Sequence, residues 1–323
     1  MFGLFGELFH EYNCRPSREE VTIMPEVTII ADYGDLCGEC PVWDSAIGSV
    51  YWIDCVALKF LQYDWRAREH HIVRQGLPVN GFRRNRPGGF VITNNDGVWL
   101  WAGSGEPQLV TAEAEGSRCQ LNDCTSDSAG RLITGSYFYN PAGEYPLGKL
   151  IRVGTDGKAT VLDEGFHLSN GLSFSPDERT LYFADSVARL IYAYDYDVST
   201  GSVRNRRVLV QVPREEGLPD GLAVDAEGFV WSAQWYGSCV VRYDPDGKVE
   251  RRIQTAAKQT SSLAFGGPDL TDIFITSAGQ SEPMPIMPLG YDPATGYFGG
   301  ALYHMNLGIR GQLQHMANIT PRI

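Results

Sequence analysis

The sequence has no long hydrophobic run and no run of basic residues. Among its 323 residues, 39 are Asp or Glu and 27 are Lys or Arg, which gives a net charge of −12. No window approaches the roughly 18 apolar residues that a membrane-spanning helix needs. Because nucleic acids and anionic membranes are bound mainly by neutralising phosphate charge, we expect this chain to bind neither.

The sequence also lacks a recognisable export signal. Its apolar start, Met1-Phe2-Gly3-Leu4-Phe5, has no basic residue before it and is soon interrupted by Glu7, His10 and Glu11. The seven cysteines are an odd number scattered along the chain, so without export they are expected to stay reduced. We therefore predict a cytoplasmic protein in which residues 1–21 are an extension of the folded domain.

No long stretch places apolar residues at helical spacing. A short polar motif followed by a strand-like run of Val, Ile, Tyr, Trp and Phe recurs six times instead. The central residues of the six motifs are Glu39, Asn80, Asn122, Asn170, Asp220 and Ser262. Their spacings of 41, 42, 48, 50 and 42 residues are typical of four-stranded propeller blades.

Each repeat predicts four antiparallel strands joined by turns rich in Asp, Pro and Gly, such as Asp244-Pro245-Asp246-Gly247. The fold class is therefore all-β, a six-bladed β-propeller. An isolated strand over Val27–Ile30 is predicted to complete the last blade and close the ring, so that one domain spans residues 22–323. The proline-rich stretch Ser281–Pro288 is predicted to be a loop in the last blade, with its role left open.

In a propeller the first strand of each blade lines the central channel, so the six polar motifs should meet at one mouth of that channel. Two carboxylates and several amide oxygens suit a hard divalent cation such as Ca²⁺, Mg²⁺ or Mn²⁺, and can also hold Zn²⁺ or Fe²⁺. The alternative is that Asn170-Gly171 and Asp220-Gly221 are ordinary turns and that Glu39 is a solvated loop acid.

Five motifs, in order, resemble those of the SMP-30/gluconolactonase/LRE family, also called regucalcin-like. They are Gly38–Trp43, Leu121-Asn122-Asp123 with Asp127, Leu168–Leu172, Pro219–Leu222 and Leu263–Asp269. The resemblance covers about residues 26 to 311. It implies a six-bladed propeller that hydrolyses sugar lactones with the help of one divalent metal ion.

The resemblance also implies roles for individual residues. By motif, the metal ligands are Glu39, Asn170 and Asp220, with Asp220 also the catalytic carboxylate, and Asn122 helps to bind the substrate. Two positions before this Asn, family members usually carry an Arg that contacts substrate hydroxyls. The sequence has Gln120 at that position and Arg118 two residues earlier, and both are predicted to contact the substrate. The sugar that is recognised is therefore expected to differ from gluconolactone.

Other residues have two interpretations each. His167 is either a proton shuttle or substrate contact, or a histidine packed in a loop. Trp235 either stacks on a sugar face or packs between blades. Arg83, Arg84 and Arg86 are predicted to lie in a solvated loop.

The cysteines allow a further metal site. Cys37 and Cys40, together with Cys119 and Cys124, could form a tetrathiolate zinc site, although the second pair has unusual spacing.

The predicted function is metal-dependent opening of an aldonolactone, a small sugar lactone, to its acid. The alternatives are a related propeller esterase or phosphotriesterase, or a calcium- or ligand-binding propeller without catalysis. The sequence does not indicate the oligomeric state.

Overall fold

The structure, a computed structural model, describes residues 26–137, 147–280 and 286–320. These residues form strands and turns without a helix, so none of them belongs to a helix that could cross a bilayer. Aspartates at the hairpin turns show how the sequence sets this pattern: the Asp64 carboxylate accepts hydrogen bonds from the backbone N–H groups of Arg66 and Ala67, at 2.9 and 2.7 Å. Such turns make each strand pair with the next along the chain.

The strands follow one another in chain order. The first is β1 (Thr28–Asp32). The first blade is β2 (Gly38–Asp44), β3 (Ser49–Asp54), β4 (Lys59–Asp64) and β5 (Glu69–Gln75). The second is β6 (Gly81–Arg84), β7 (Phe90–Asn94), β8 (Gly97–Trp101) and β9 (Gln108–Thr111), followed by the small hairpin β10 (Glu113–Ala114) and β11 (Ser117–Arg118). The third is β12 (Leu121–Ser126), β13 (Leu132–Ser136), β14 (Gly148–Val153) and β15 (Ala159–Phe166).

The remaining blades have the same organisation. The fourth is β16 (Ser169–Phe174), β17 (Thr180–Asp185), β18 (Leu190–Asp197) and β19 (Ser202–Gln211). The fifth is β20 (Leu218–Val224), β21 (Val230–Trp235), β22 (Cys239–Tyr243) and β23 (Val249–Gln254). The sixth contains β24 (Thr260–Gly266), β25 (Asp272–Ser277) and β26 (Ala301–Asn306).

The N-terminal strand closes the ring, as the sequence predicts. β1 pairs antiparallel with β26, which gives the sixth blade the order β1-β26-β25-β24. The predicted fold, a six-bladed propeller with four antiparallel strands in each blade, is confirmed. The predicted domain boundary at residue 22 and residues 281–285 of the proline-rich loop lie outside the described residues.

The hydrophobic core is divided among the interfaces between neighbouring blades. Each of six buried clusters joins two adjacent blades; the one between the first and second blades contains Phe60, Phe82 and Trp101. Burial of each such side chain stabilises the fold by about 1.5–3 kcal/mol, because its apolar surface is removed from water. The central channel therefore has rigid walls whose stability does not depend on the polar groups that line it.

Residues 310–320 form a strap across the lower end of the channel, opposite the mouth where the first strands begin. The Gln312 amide donates to the carbonyls of Phe174, Val224 and Asp225, which lie on the fourth and fifth blades. Ile319 exchanges two hydrogen bonds with the Asn85 side chain beyond β6. The strap thus crosses the end of the channel opposite the polar mouth.

Candidate active site at the channel mouth

The candidate site residues lie where the pairing between the first and second strands of a blade is interrupted. Register shifts occur in the first strand of five blades, including the intervals Glu39/Val42, Asn170/Leu172 and Pro219/Leu222. Such β-bulges leave a residue unpaired and redirect its side chain. In the first, fourth and fifth blades the bulges coincide with Glu39, Asn170 and Asp220.

The glycines that follow two of these residues are not turn residues. Gly171 and Gly221 lie inside β16 and β20, and neither is in the left-handed region. A Cβ at Gly171 would lie 2.3 Å from the Asp220 carbonyl oxygen, and one at Gly221 would lie 2.1 Å from the Ser262 hydroxyl. The alternative that these pairs form ordinary turns is therefore wrong: glycine is needed because neighbouring first strands approach closely at the axis.

Three carboxylates interact at the mouth. Burial raises the pKa of Glu39 well above its usual range, and the charges of Asp220 and Asp123 raise it further. Burial likewise raises the pKa of Asp220, with Asp123 as the next cause, and Asp220 is 4% exposed. The structure thus brings together Glu39 and Asp220 from the first and fifth blades.

Asp123 is a site residue that the sequence analysis did not single out. Its carboxylate accepts a hydrogen bond from the backbone N–H of Cys124 at 2.7 Å, and burial raises its pKa. Its position next to Asn122 in the third motif was the available signal. The mouth therefore carries three acids, one more than predicted.

The amides form a connected chain between the third, fourth and fifth blades. Asn122 Nδ2 donates to Asn170 Oδ1 at 2.5 Å and to the Ser169 carbonyl at 2.9 Å. Asn170 Nδ2 donates to the Ser186 hydroxyl at 2.8 Å, which in turn donates to the Pro219 carbonyl at 2.6 Å. These bonds fix the orientation of Asn170 and leave a second lone pair on its Oδ1 for a ligand.

Two buried aspartates hold the loops that precede the site residues. Asp54 accepts hydrogen bonds from the backbone N–H groups of Leu36 and Cys37, just before Glu39, at 2.8 and 3.1 Å. Asp185 accepts the N–H groups of His167 and Leu168, just before Asn170, at 2.8 and 3.1 Å. Because both carboxylates are fully buried, these bonds restrict the backbone at the mouth.

Arg83 corrects one prediction. It lies on β6 and is 6% exposed, so it does not belong to a solvated loop. Its Nη1 contacts Cys40 Sγ at 3.3 Å and donates to the Phe82 carbonyl at 2.7 Å. The positive charge of Arg83 lowers the pKa of Asp123 against the effect of burial. Arg83 is therefore a fixed cation close to the acids.

The two neighbouring arginines are divided between the strand and the surface. Arg84 is also on β6, where its guanidinium pairs with Asp44. Only Arg86 is exposed as predicted, and its guanidinium donates to the Ser128 carbonyl.

The predicted substrate contacts lie at different depths. Gln120 precedes β12, and its side chain interacts with Tyr137. Arg118 is exposed on β11 and pairs with Asp96 at 2.7 Å. In this arrangement its guanidinium is held by Asp96 in the turn between β7 and β8.

His167 and Trp235 lie on the fourth and fifth blades. His167 is half-exposed, with its Nδ1 3.3 Å from Asp185 Oδ2. Trp235 ends β21 and makes an edge contact with Tyr236, at 6.0 Å between ring centroids. Its Nε1 is buried without a hydrogen-bond acceptor among the described residues.

The four cysteines of the alternative zinc site do not gather. The Cys40 thiol is in contact with Arg83 and Phe82, whereas the Cys37 thiol interacts with Cys55. Cys119 is buried in the cluster between the second and third blades. In the part of the chain that the structure describes, no group of three or more His, Cys, Asp or Glu side chains is arranged to hold a metal ion.

A six-bladed propeller with an acidic, amide-lined mouth is the class of protein that the fold and the site define. Residues 37–279 match the SMP-30/Gluconolactonase/LRE-like region, and the chain belongs to that family. It is 32% identical to Pentonolactonase XacC of Haloferax volcanii over 293 residues, which are 91% of this chain and 98% of that protein.

Two solved structures are similar over most of the chain. One is the luciferin-regenerating enzyme, with a TM-score of 0.80 and 27% identity over 91% of this chain and 100% of that chain. The other is the calcium-binding protein regucalcin of Agrobacterium tumefaciens, with a TM-score of 0.77 and 26% identity over 91% of this chain and 96% of that chain.

Proposed function

We propose that the protein is a lactonase that opens an aldonolactone to the corresponding sugar acid with the help of one divalent metal ion. The observation that carries this proposal is the meeting of Glu39, Asp123 and Asp220 in one buried mouth, beside the oriented amide of Asn170. The relative named as a pentonolactonase supports the substrate class.

The residues present fit a divalent cation. Burial disfavours the charged forms of all three acids, and repulsion adds to this effect at Glu39 and Asp220, so a cation held by Glu39 and Asp220 would offset an unfavourable charge arrangement. Glu39, Asn170 and Asp220 would supply two carboxylates and one amide oxygen, which are ligands that Ca²⁺, Mg²⁺ and Mn²⁺ accept, and which Zn²⁺ or Fe²⁺ can accept as well. The calcium-binding relative favours a hard cation of this kind.

When bound there, the cation supplies polarisation of the lactone carbonyl and stabilises the negative charge that develops on its oxygen. Asp220 accepts the proton of the attacking water, because it is the least exposed of the three acids at the mouth and matches the catalytic carboxylate of the family motif. The proton then passes to the ring oxygen of the lactone as the ester bond opens, which leaves a carboxylic acid that releases its own proton to solvent near neutral pH.

The remaining residues bind and orient the sugar. Asn122 is fixed by its hydrogen bonds to Ser169 and Asn170, and its Oδ1 would accept a hydrogen bond from a sugar hydroxyl. Trp235 is partly buried and offers an apolar ring face, which suits stacking on a sugar ring. Gln120 and Tyr137 provide uncharged polar contacts on the third blade, where the family usually has an arginine. We therefore expect a preference for a neutral aldonolactone.

Acid release from a panel of neutral and charged aldonolactones tests this proposal. The protein is first treated with a chelator, and each divalent cation is then added back while a pH indicator follows hydrolysis. The proposal predicts no turnover in chelator, restored turnover with a hard cation, and faster opening of neutral lactones. Tight metal binding without hydrolysis of any lactone or ester would identify a non-catalytic binding protein instead.

A further inference from the structure

Two cysteines face each other at the mouth end of the first blade. In the β2–β3 ladder Gly38 is opposite Asp54, and the next pair outward is Cys37 and Cys55. The backbone N–H of Cys55 donates to the Cys37 carbonyl at 3.1 Å, and the two thiols interact with each other. Asp54 anchors both chain segments, since its Oδ1 accepts the N–H groups of Cys37 and Ala57 at 3.1 and 2.9 Å.

These two thiols belong to the active-site mouth. Cys55 is near enough to Asp220 for their side chains to interact electrostatically, and Cys37 interacts in the same way with Glu39 and Asp220. Both also interact with Tyr137 on the third blade. They are partly exposed, whereas the other four cysteines of the described residues are buried.

The geometry permits a bond between the two sulfur atoms. Residues directly opposite each other in an antiparallel pair have Cα atoms about 4.5–5.5 Å apart. Disulfides span Cα separations of about 4.4–6.8 Å, so the backbone could keep its register when the bond forms. The proposed metal chemistry uses neither thiol, and only Cys55 touches the edge of the hydrophobic cluster between the first and second blades.

We propose that Cys37 and Cys55 are a modification site, a dithiol that closes reversibly to a disulfide by exchange with a small-molecule disulfide and thereby lowers lactone turnover. In the first step a thiolate of the pair attacks the small disulfide, forms a mixed disulfide and expels one thiolate. The second cysteine then attacks the protein sulfur of the mixed disulfide and expels the other thiolate. The protein dithiol is oxidised by two electrons, and the small disulfide is reduced to two thiols.

Closure is expected to lower activity because it replaces two separate S–H groups beside Asp220 and Tyr137 with a fixed bridge. Small displacements at a reacting centre can cost up to about a hundred-fold in rate, and we expect a loss of about ten-fold or more in kcat/KM. This second half of the proposal rests on the proposed lactonase function. The formation of the bond does not.

The test incubates the wild-type protein and the Cys55→Ser variant with oxidised glutathione. Cys239→Ser, which removes a buried thiol of the fifth blade, is the matched control. Intact mass and peptide mapping follow the bond, and lactone hydrolysis is measured before and after dithiothreitol. We expect a Cys37–Cys55 disulfide and a reversible loss of activity in the wild type and in Cys239→Ser. Cys55→Ser should form no internal disulfide and lose far less activity.

The possible outcomes separate the two proposals. Absence of the Cys37–Cys55 linkage from the oxidised wild type would overturn the modification site, whether or not the protein hydrolyses lactones. If the disulfide forms and lactone hydrolysis is unchanged, the proposed effect of the disulfide on turnover is wrong. A disulfide in a protein that hydrolyses no lactone before oxidation would count against the lactonase assignment and leave the linkage itself established.

Discussion

Glu39 and Asp220 lie 181 positions apart in the sequence, on the first and fifth blades, and the charge of Asp220 is the largest electrostatic cause of the raised pKa of Glu39. Such a pair is unfavourable in the absence of a cation, since each carboxylate loses solvation and gains repulsion. The arrangement persists because the hydrophobic clusters between the blades, and not the acids, determine the fold. A buried site that is strained by its own charge has the properties expected of a metal-binding centre.

Replacement of Asp220 by Asn should separate activity from stability. We expect lactone turnover to fall by at least about a hundred-fold, because the proton acceptor and one ligand are lost. The free energy of unfolding in chelator should rise, because one of three repelling charges is removed. Steady-state kinetics and urea denaturation measure both quantities.

The matched control is Asp246→Asn, which makes the same exchange in an exposed turn of the same blade. It should change neither quantity appreciably. Loss of stability in Asp220→Asn without metal would contradict the repulsion argument.

Replacement of Asp185 by Ala should release the backbone that precedes Asn170 at the mouth. Three backbone N–H groups, of His167, Leu168 and Ala188, lose their buried acceptor. We expect a loss of about 2–4 kcal/mol in the free energy of unfolding and reduced turnover, since the loop before Asn170 is released. Asp64→Ala, which frees two N–H groups in an exposed turn, is the control and should cost less than about 1 kcal/mol. Equal losses in the two variants would show that burial of the acceptor does not matter.

Asp35 gives the protein a specific pH dependence. Burial raises its pKa from 3.8 to about 6, partly offset by the Trp52 indole N–H and by Lys59. Between about pH 4 and 6 the native state therefore binds more protons at Asp35 than the unfolded state does. As pH rises through this window, the free energy of unfolding should fall by up to about 3 kcal/mol. In Asp35→Asn this part of the decline should be absent. Parallel curves of the free energy of unfolding against pH for the two proteins would contradict the prediction.

The C-terminal strap should contribute to stability through Asn85. Asn85→Ala removes both hydrogen bonds to Ile319 and leaves its backbone groups buried without that partner. We expect a loss of about 1–3 kcal/mol measured by thermal or urea unfolding. The control is Asn306→Ala at the exposed end of β26, which should lose less than about 1 kcal/mol. An unchanged Asn85→Ala protein would mean that the strap is not held by this contact.

The sequence was sufficient to predict the ring because each blade repeats its own turn and strand chemistry locally. The isolated strand predicted over Val27–Ile30 closes the sixth blade as expected. The meeting of Glu39 and Asp220 followed from the phase of the repeat, since equivalent positions share one end of the channel.

Burial and contacts across the axis could not be predicted in this way. Arg83 looked like a surface arginine because it adjoins a Pro-Gly-Gly turn, yet it is buried beside Cys40. Asp123 was passed over because the bulge that brings its carboxyl among the acids has no sequence signature. The strap that contains Gln312 carries no periodic pattern, and its contacts are made with carbonyls that the sequence does not reveal.

The most direct test of this account is a crystal of the protein soaked in Mn²⁺, with anomalous scattering used to locate the ion. The account predicts one strong peak at the mouth, bonded to carboxylate oxygens of both Glu39 and Asp220 and to Asn170 Oδ1. A mouth without a peak, or an ion bonded to only one of the two acids, would contradict it.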